Sequence, residues 1–287
     1  MKKSLLFLIL CVSLSLMPGC AGAAEHGQTP LPDEPPGKTD SPVVIEDGAP
    51  WLITCRIVDG AETGQLVLAE NGGAGSGVYT LSLDQLCFEF QLAEPLRSGQ
   101  LINVYFETVM ETYPAQFGGV SAVELVEGGF DDRAALYLDV LKDLWAVDSG
   151  LNDGVEVIGV DLSQTSLSPA EQAAVAWVFT SSHDAELAEG SLEELIEQGW
   201  ITATPLSGSG SGTDLREPKH YFYEWENGCH FSITEQPMEG VYSLTPVTFD
   251  AMKWRSSLGA YFFSDCTAVQ SALGAWSEYQ IGAEMIS

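Results

Sequence analysis

Residues 121–147 read Ser-Ala-Val-Glu-Leu-Val-Glu-Gly-Gly-Phe-Asp-Asp-Arg-Ala-Ala-Leu-Tyr-Leu-Asp-Val-Leu-Lys-Asp-Leu-Trp-Ala-Val. The pattern of the chain changes inside this stretch. Ser121–Glu127 is a β-like run. After Gly128-Gly129, Ala134, Tyr137, Leu138, Leu141, Leu144 and Trp145 recur at helical spacing, and Asp131-Asp132 suit a helix N-terminus. The switch divides the chain into a β unit, residues 49–128, and a mixed unit, residues 129–287. The expected fold class is α+β.

Working back from Gly128, short β-rich runs are separated by turn residues. They are Trp51–Val58, Gln65–Glu70, Val78–Leu83, Leu86–Leu92 and Leu101–Glu107, with a glycine-rich break at 71–77. Several short strands of this kind predict a small barrel or sandwich that folds by itself. Ser98-Gly99-Gln100 leads into one core strand, and Tyr113-Pro114-Ala115-Gln116-Phe117 precedes the last. In that order the unit resembles the OB-like β-barrels of uncharacterised Gram-positive surface lipoproteins. The resemblance implies a fold and carries no catalytic residues.

Working forward, a helix is expected over Phe130–Val147 and a buried strand over Val155–Val160. Ser168-Pro169-Ala170-Glu171 is a helix start with a capping box, running to about Ser181. Ser191–Glu194 is a second capping box, stopped by Gly199. Residues 206–217 read as a flexible Gly/Ser loop, either a plain connection or a lid. Asn227-Gly228 between β-rich arms predicts a hairpin, with Trp225 opposite His230. One face of that hairpin carries Tyr221, Tyr223, Trp225 and His230, which either bind a ligand or pack on the domain. Lys253-Trp254-Arg255 falls between the β-like segments Pro246–Ala251 and Leu258–Asp265. In so acidic a chain it is a candidate anion site or a turn paired with carboxylates. The possible ligand-binding set is thus Tyr221, Tyr223, Trp225, His230, Lys253, Trp254 and Arg255. A last β-like segment spans Trp276–Met285.

The N-terminus bears on location. Lys2-Lys3 precede an apolar run, Leu5–Leu16, too short to span a bilayer, and Met17-Pro18-Gly19-Cys20 follows. This resembles the signal peptide and lipobox of bacterial lipoproteins. It implies cleavage after residue 19, lipidation of Cys20 and attachment to the extracytoplasmic face of the cell membrane. Ordinary secretion with cleavage after Ala21-Gly22-Ala23 is the other reading. Residues 20–48, rich in Pro, Gly and charge, read as a disordered tether.

The chain holds 41 acidic and 11 basic residues, a net charge of −30. Such a surface repels nucleic acid, so no nucleic-acid partner is expected. The partners expected are the membrane, through the lipid anchor, and an envelope protein or small ligand. Asp148–Gly154 lacks EF-hand spacing and reads as a turn, so no metal or cofactor is expected. Cys55–Cys87 and Cys229–Cys266 are the possible disulfides, with buried free thiols as the alternative. No GxSxG, HExxH, P-loop or GxGxxG signature occurs. His220 and Glu224, four residues apart on a strand, stand roughly 13 Å apart and make no acid–base pair. The expectation is non-catalytic binding at the envelope. The alternative is a lipid-anchored hydrolase that uses the second unit.

Overall fold

The computed structural model describes residues 50–72, 77–86, 95–206, 220–237, 246–276 and 278–287. The signal peptide and tether (with Cys20), the 207–217 part of the Gly/Ser loop, and all but Leu86 of the run Leu86–Leu92 (with Cys87) lie outside the described residues. Strands dominate, in two mixed sheets with few helices.

The first sheet contains β1 (Trp51–Asp59), β2 (Gln65–Glu70), β3 (Val78–Ser82), β4 (Leu101–Phe106), β5 (Thr108–Met110), β6 (Ala115–Gly118) and β7 (Ala122–Val126). Its order is β5-β6-β3-β2-β1-β4-β7. The β3–β6 pair is parallel, and the other pairs are antiparallel. No pairing among the described residues joins the two ends of the sheet. Only residues 119–121 separate β6 from β7.

Leu66, Val67, Leu68 and Ala69 of β2 are all buried, although successive strand side chains point to opposite faces. The reason is that each face has its own cover. Leu66 and Leu68 join Cys55, Ile57, Ile102 and Val104 in one core. Val67 and Ala69, with Val58 and Val78, turn the other way and join the core built by the helices.

Helix α1 (Arg133–Ala146) follows the glycine pair and buries the expected stripe, including Tyr137, Leu138, Leu141 and Leu144. Strand β8 (Val157–Gln164) leads into α2 (Pro169–Ser181), which returns to β9 (Glu186–Glu189). The β8–β9 pair is parallel, so this is a βαβ crossover. Helix α2 starts with the expected capping box. The Glu171 N–H donates to Ser168 Oγ at 3.3 Å, and the Ser168 N–H donates to Glu171 Oε2 at 2.8 Å. One side of α2 packs on β1, β2 and β3, the other on β8 and β9. A helix between two sheets must be apolar nearly all round. Ala170, Ala174, Val175, Ala176, Val178 and Phe179 meet that need. The ion pair of Arg56 Nε with Glu171 Oε1 (2.8 Å) joins β1 to this helix. The same guanidinium donates to the carbonyls of Gly99 and Gly129. Residues 47–287 form one compact unit.

The second sheet adds α3 (Leu192–Glu197), with its expected capping box, then β10 (Thr202–Pro205), β11 (Tyr221–Glu224), β12 (Gly228–Glu235), β13 (Val247–Ser256), β14 (Gly259–Ala268) and β15 (Ala283–Ile286). Its order is β10-β11-β13-β12-β8-β9, with β14 on β13 and β15 at the edge of β14.

Two expectations are corrected here. The arms flanking Asn227-Gly228 do not form a hairpin: β11 pairs with β10 and β13, while β12 pairs with β13 and β8. The Asn227 carbonyl accepts from Glu156 and Val157 at 2.8 and 3.1 Å, which ties the turn to β8. The Trp225 ring occupies the space where a Cβ on Gly228 would stand, so the turn is closed by a side chain. Second, Lys253-Trp254-Arg255 is not a turn but the C-terminal part of β13.

Cys55, Cys229 and Cys266 are buried free thiols, so Cys229 and Cys266 are not bonded. Cys266 is registered with Phe249 of β13, whereas Cys229 precedes the His230–Trp254 pair at the far end of that strand. The offset along β13 is roughly 20 Å at about 3.3 Å per residue, beyond disulfide reach.

Candidate functional site

The seven residues singled out from the sequence are mostly committed to packing. His230 and Trp254 are directly opposed on β12 and β13. Trp225 reaches the same place from the turn. His230 Cδ2, Leu195 Cδ1 and Trp225 Cζ3 lie 2.9, 2.9 and 3.2 Å from the position a Cβ on Gly159 would take. Only glycine fits there. The aromatic face is covered by α3, and Trp225 and His230 are each 1% exposed. Tyr221 and Tyr223 stay on the rim of this cluster, their ring centroids 6.1 Å apart.

Lys253 and Arg255 face the other way. Lys253 Nζ donates to the carbonyls of Val147 (2.8 Å), Asp148 (3.2 Å) and Trp145 (3.4 Å), closing the C-terminus of α1. Burial lowers its pKa, opposed by Cys229 and Asp148. Arg255 donates to the carbonyls of Leu151, Asp153 and Glu226. These cations complete main-chain carbonyls at a helix end and a turn, so the structure does not gather them with the aromatic face into one open site.

Among the described residues, an open concave surface lies along α1. A cavity of about 600 Å³ is lined by Asp132, Asp139, Asp143, Trp276, Glu278 and Tyr279, with Lys142. A second, of about 900 Å³, shares Asp132, Ala135, Asp139 and Lys142 with it and extends to Asp59, Glu62 and Arg97. Shared walls make them one groove. It runs between α1, Trp276 with residues 278–281, and the β1–β2 turn.

The groove walls are fastened by their own polar groups. The Trp276 main-chain N–H donates to Asp132 Oδ1 at 2.7 Å, and its indole N–H donates to Asp131 Oδ1 at 2.9 Å. The Arg133 guanidinium stands 4.6 Å above the Trp276 ring. Tyr279 donates its hydroxyl to Asp143 Oδ2 at 2.7 Å. Burial raises the Asp132 pKa, opposed by the Trp276 N–H. Burial, then the Asp143 hydrogen bond, raises the Tyr279 pKa. Asp139 remains exposed beside Lys142, 3.3 Å away.

The groove contains none of the residues picked from the strands. A signal for it was present: Asp132, Asp139 and Asp143 are spaced seven and four apart, which puts them on one helical face. Trp276, Glu278 and Tyr279 carried no such signal, because only the tertiary fold brings their loop to α1.

Outside the groove, burial disfavours the charged forms of two histidines and a cysteine. Burial lowers the pKa of His230, opposed by Asp161 and Glu193. His183 is lowered too, stacked 3.9 Å from the Trp145 ring. The Cys229 thiol is pushed up to about 12, chiefly by burial. Among the described residues no group of three or more His, Cys, Asp or Glu side chains could hold a metal ion. No family model, curated protein or solved structure matches the chain.

Proposed function

We propose that this protein is held by a lipid on Cys20 at the outer face of the cell membrane and binds a cationic ligand, without catalysis, in the groove along α1. The observation that carries the reading is the groove lining: Asp132, Asp139, Asp143 and Glu278 beside the aromatic rings of Trp276 and Tyr279. Carboxylates fixed near low-dielectric walls concentrate positive ligands, and aromatic faces add cation–π attraction. The net charge of −30 strengthens that field.

Spermine is a suitable probe. Titration calorimetry should show binding that weakens as salt rises from about 50 to 200 mM, because exposed charges are then screened. The pair Asp139→Asn with Glu278→Gln should lower affinity by about two- to thirtyfold, the loss of two exposed charge contacts at about 0.2–1 kcal/mol each. Equal affinity in wild type and variant defeats the reading. Anchoring is tested apart from binding: Cys20→Ala should move the protein from the membrane fraction to the soluble one, and retention would defeat that part. No helix among the described residues is long and apolar enough to cross a membrane.

The hydrolase reading draws on one observation, the raised pKa of Asp132. That shift has a structural cause, since the carboxyl is buried where it holds the Trp276 backbone. Binding is therefore the better account.

The first sheet also supports an OB-like reading of residues 49–128. Strand β6 runs parallel to β3, β7 runs antiparallel to β4, and only residues 119–121 separate the two. Gly119 has φ +65°, and a Cβ there would meet the Glu107 side chain. A single strand bent at this point and shared between β3 and β4 would be the closing strand of such a barrel.

A further inference from the structure

Where the groove passes Arg97 and Phe130 it meets a third cavity of different character. This one is about 300 Å³, at the lower end of the range for small-ligand pockets. Its apolar walls are Leu101, Leu125, Val126, Phe130 and Leu273, with the exposed Glu127 beside them and Arg97 at the border it shares with the groove. Leu273 is 86% exposed and Leu125 is 38% exposed, so the apolar lining is open to solvent.

Arg97 is distinctive among the cations. Of the described residues, Arg56, Arg133 and Lys142 have carboxylate partners. Lys253 and Arg255 are bound to carbonyls. The Arg97 guanidinium has neither an ion pair nor a side-chain hydrogen bond among the described residues, in a chain with 41 acids. Asp132 feels its charge without pairing with it. What holds Arg97 is the ring of Phe130, whose centroid lies 5.7 Å away.

Its backbone is fixed as well. The Arg97 N–H donates to Gln100 Oε1 at 2.7 Å, and Gln100 N–H returns a bond to the Arg97 carbonyl. Gly99 turns the chain with φ +90°, and a Cβ there would strike Asp132. A guanidinium resting on an aromatic face keeps its N–H fork free along its edge, in the plane that suits a carboxylate.

We propose that this cavity binds a short apolar group ending in a carboxylate. The carboxylate sits on Arg97, and the apolar body packs against Leu101, Leu125, Phe130 and Leu273. A monoanion is favoured over a phosphate. One arginine is present, and a dianion would meet twice the repulsion from the acidic surface. The site stands whether or not the neighbouring groove binds cations.

The chemistry has two sources: a free short-chain acid or the C-terminal residue of a peptide. The full chain is titrated with 4-methylpentanoate, 4-methylpentanamide, a tetrapeptide ending in leucine, and that peptide's C-terminal amide. The acid should bind at least about tenfold more tightly than its amide, the loss expected for one charge-assisted pair. Arg97→Gln should abolish that preference, and Leu273→Ser should weaken acid and amide alike. A peptide about tenfold tighter than the free acid identifies a chain terminus; equal affinities identify the free acid. The proposal is overturned if acid and amide bind wild type equally, if neither binds, or if Arg97→Gln keeps the preference. Spermine binding by Leu273→Ser is the control. Leu273 lines this cavity and not the groove, so spermine binding is unchanged when the groove works, and failure of one site is told apart from failure of the other.

Discussion

His230 sits under α3, 1% exposed, and burial outweighs the Gly190 backbone and the nearby Asp161 and Glu193, so the fold favours its neutral imidazole. Its pKa is lowered by burial, and the unfolded chain returns it to about 6.5. Between the folded and unfolded values the unfolded state binds more protons. The stability contributed by the neutral ring is therefore present above about pH 6.5 and lost as pH falls toward the folded value. Thermal melts should show a lower Tm at pH 5 than at pH 7, with a smaller difference in His230→Leu. An unchanged difference would mean that other groups, His183 included, account for the whole loss. His230 also shows what one residue's sequence context reveals. The sequence paired Trp225 with His230 across a hairpin that does not form; the two rings meet instead over Gly159. That the shared face is covered was not legible, because a period of two sorts side chains between faces without saying which face meets a helix.

Among the elements, those with signals inside their own residues were the readable ones. The capping boxes at Ser168 and Ser191 appear as read, and β2 spans the same six residues, Gln65–Glu70, as expected. Strands β5, β9 and β10, of three or four residues each, had no periodicity to betray them. The Asn227-Gly228 signal misled for a related reason. It is local, and β13, which claims both flanking strands, begins some twenty residues later. The α2 cap gives a direct check. Ser168→Ala removes the acceptor for the Glu171 N–H and should cost about 1 kcal/mol. For a folded unit of this size the Tm should fall by about 2–4 °C in a calorimetric scan. A variant with wild-type Tm would show that packing alone fixes the start of α2.

At the scale of the molecule, the core does not stop at Gly128-Gly129. Val58, Val67, Ala69 and Val78 belong with the helices, and Arg56 ties β1 to Glu171. A scan of the full chain should give one cooperative unfolding transition. Arg56→Leu should lower that single Tm; two separated transitions would show that the sheets unfold independently. A fragment of residues 50–128 would expose those four side chains to water and should be much less stable than the same strands in the whole chain. This dependence was hidden in the sequence, since an apolar residue on a strand looks the same whether its cover comes from its own unit or from the next. The buried thiols extend the point to chemistry. Cys55 lies in the core inside the first sheet, and Cys229 and Cys266 in the core around the helices, all virtually unexposed. Held as thiols at ordinary pH and shut away from reagents, they react with iodoacetamide only when the protein opens. Peptide-level alkylation at these three positions is thus a clock with hands in both sheets, and equal rates would mark a molecule that opens as a whole.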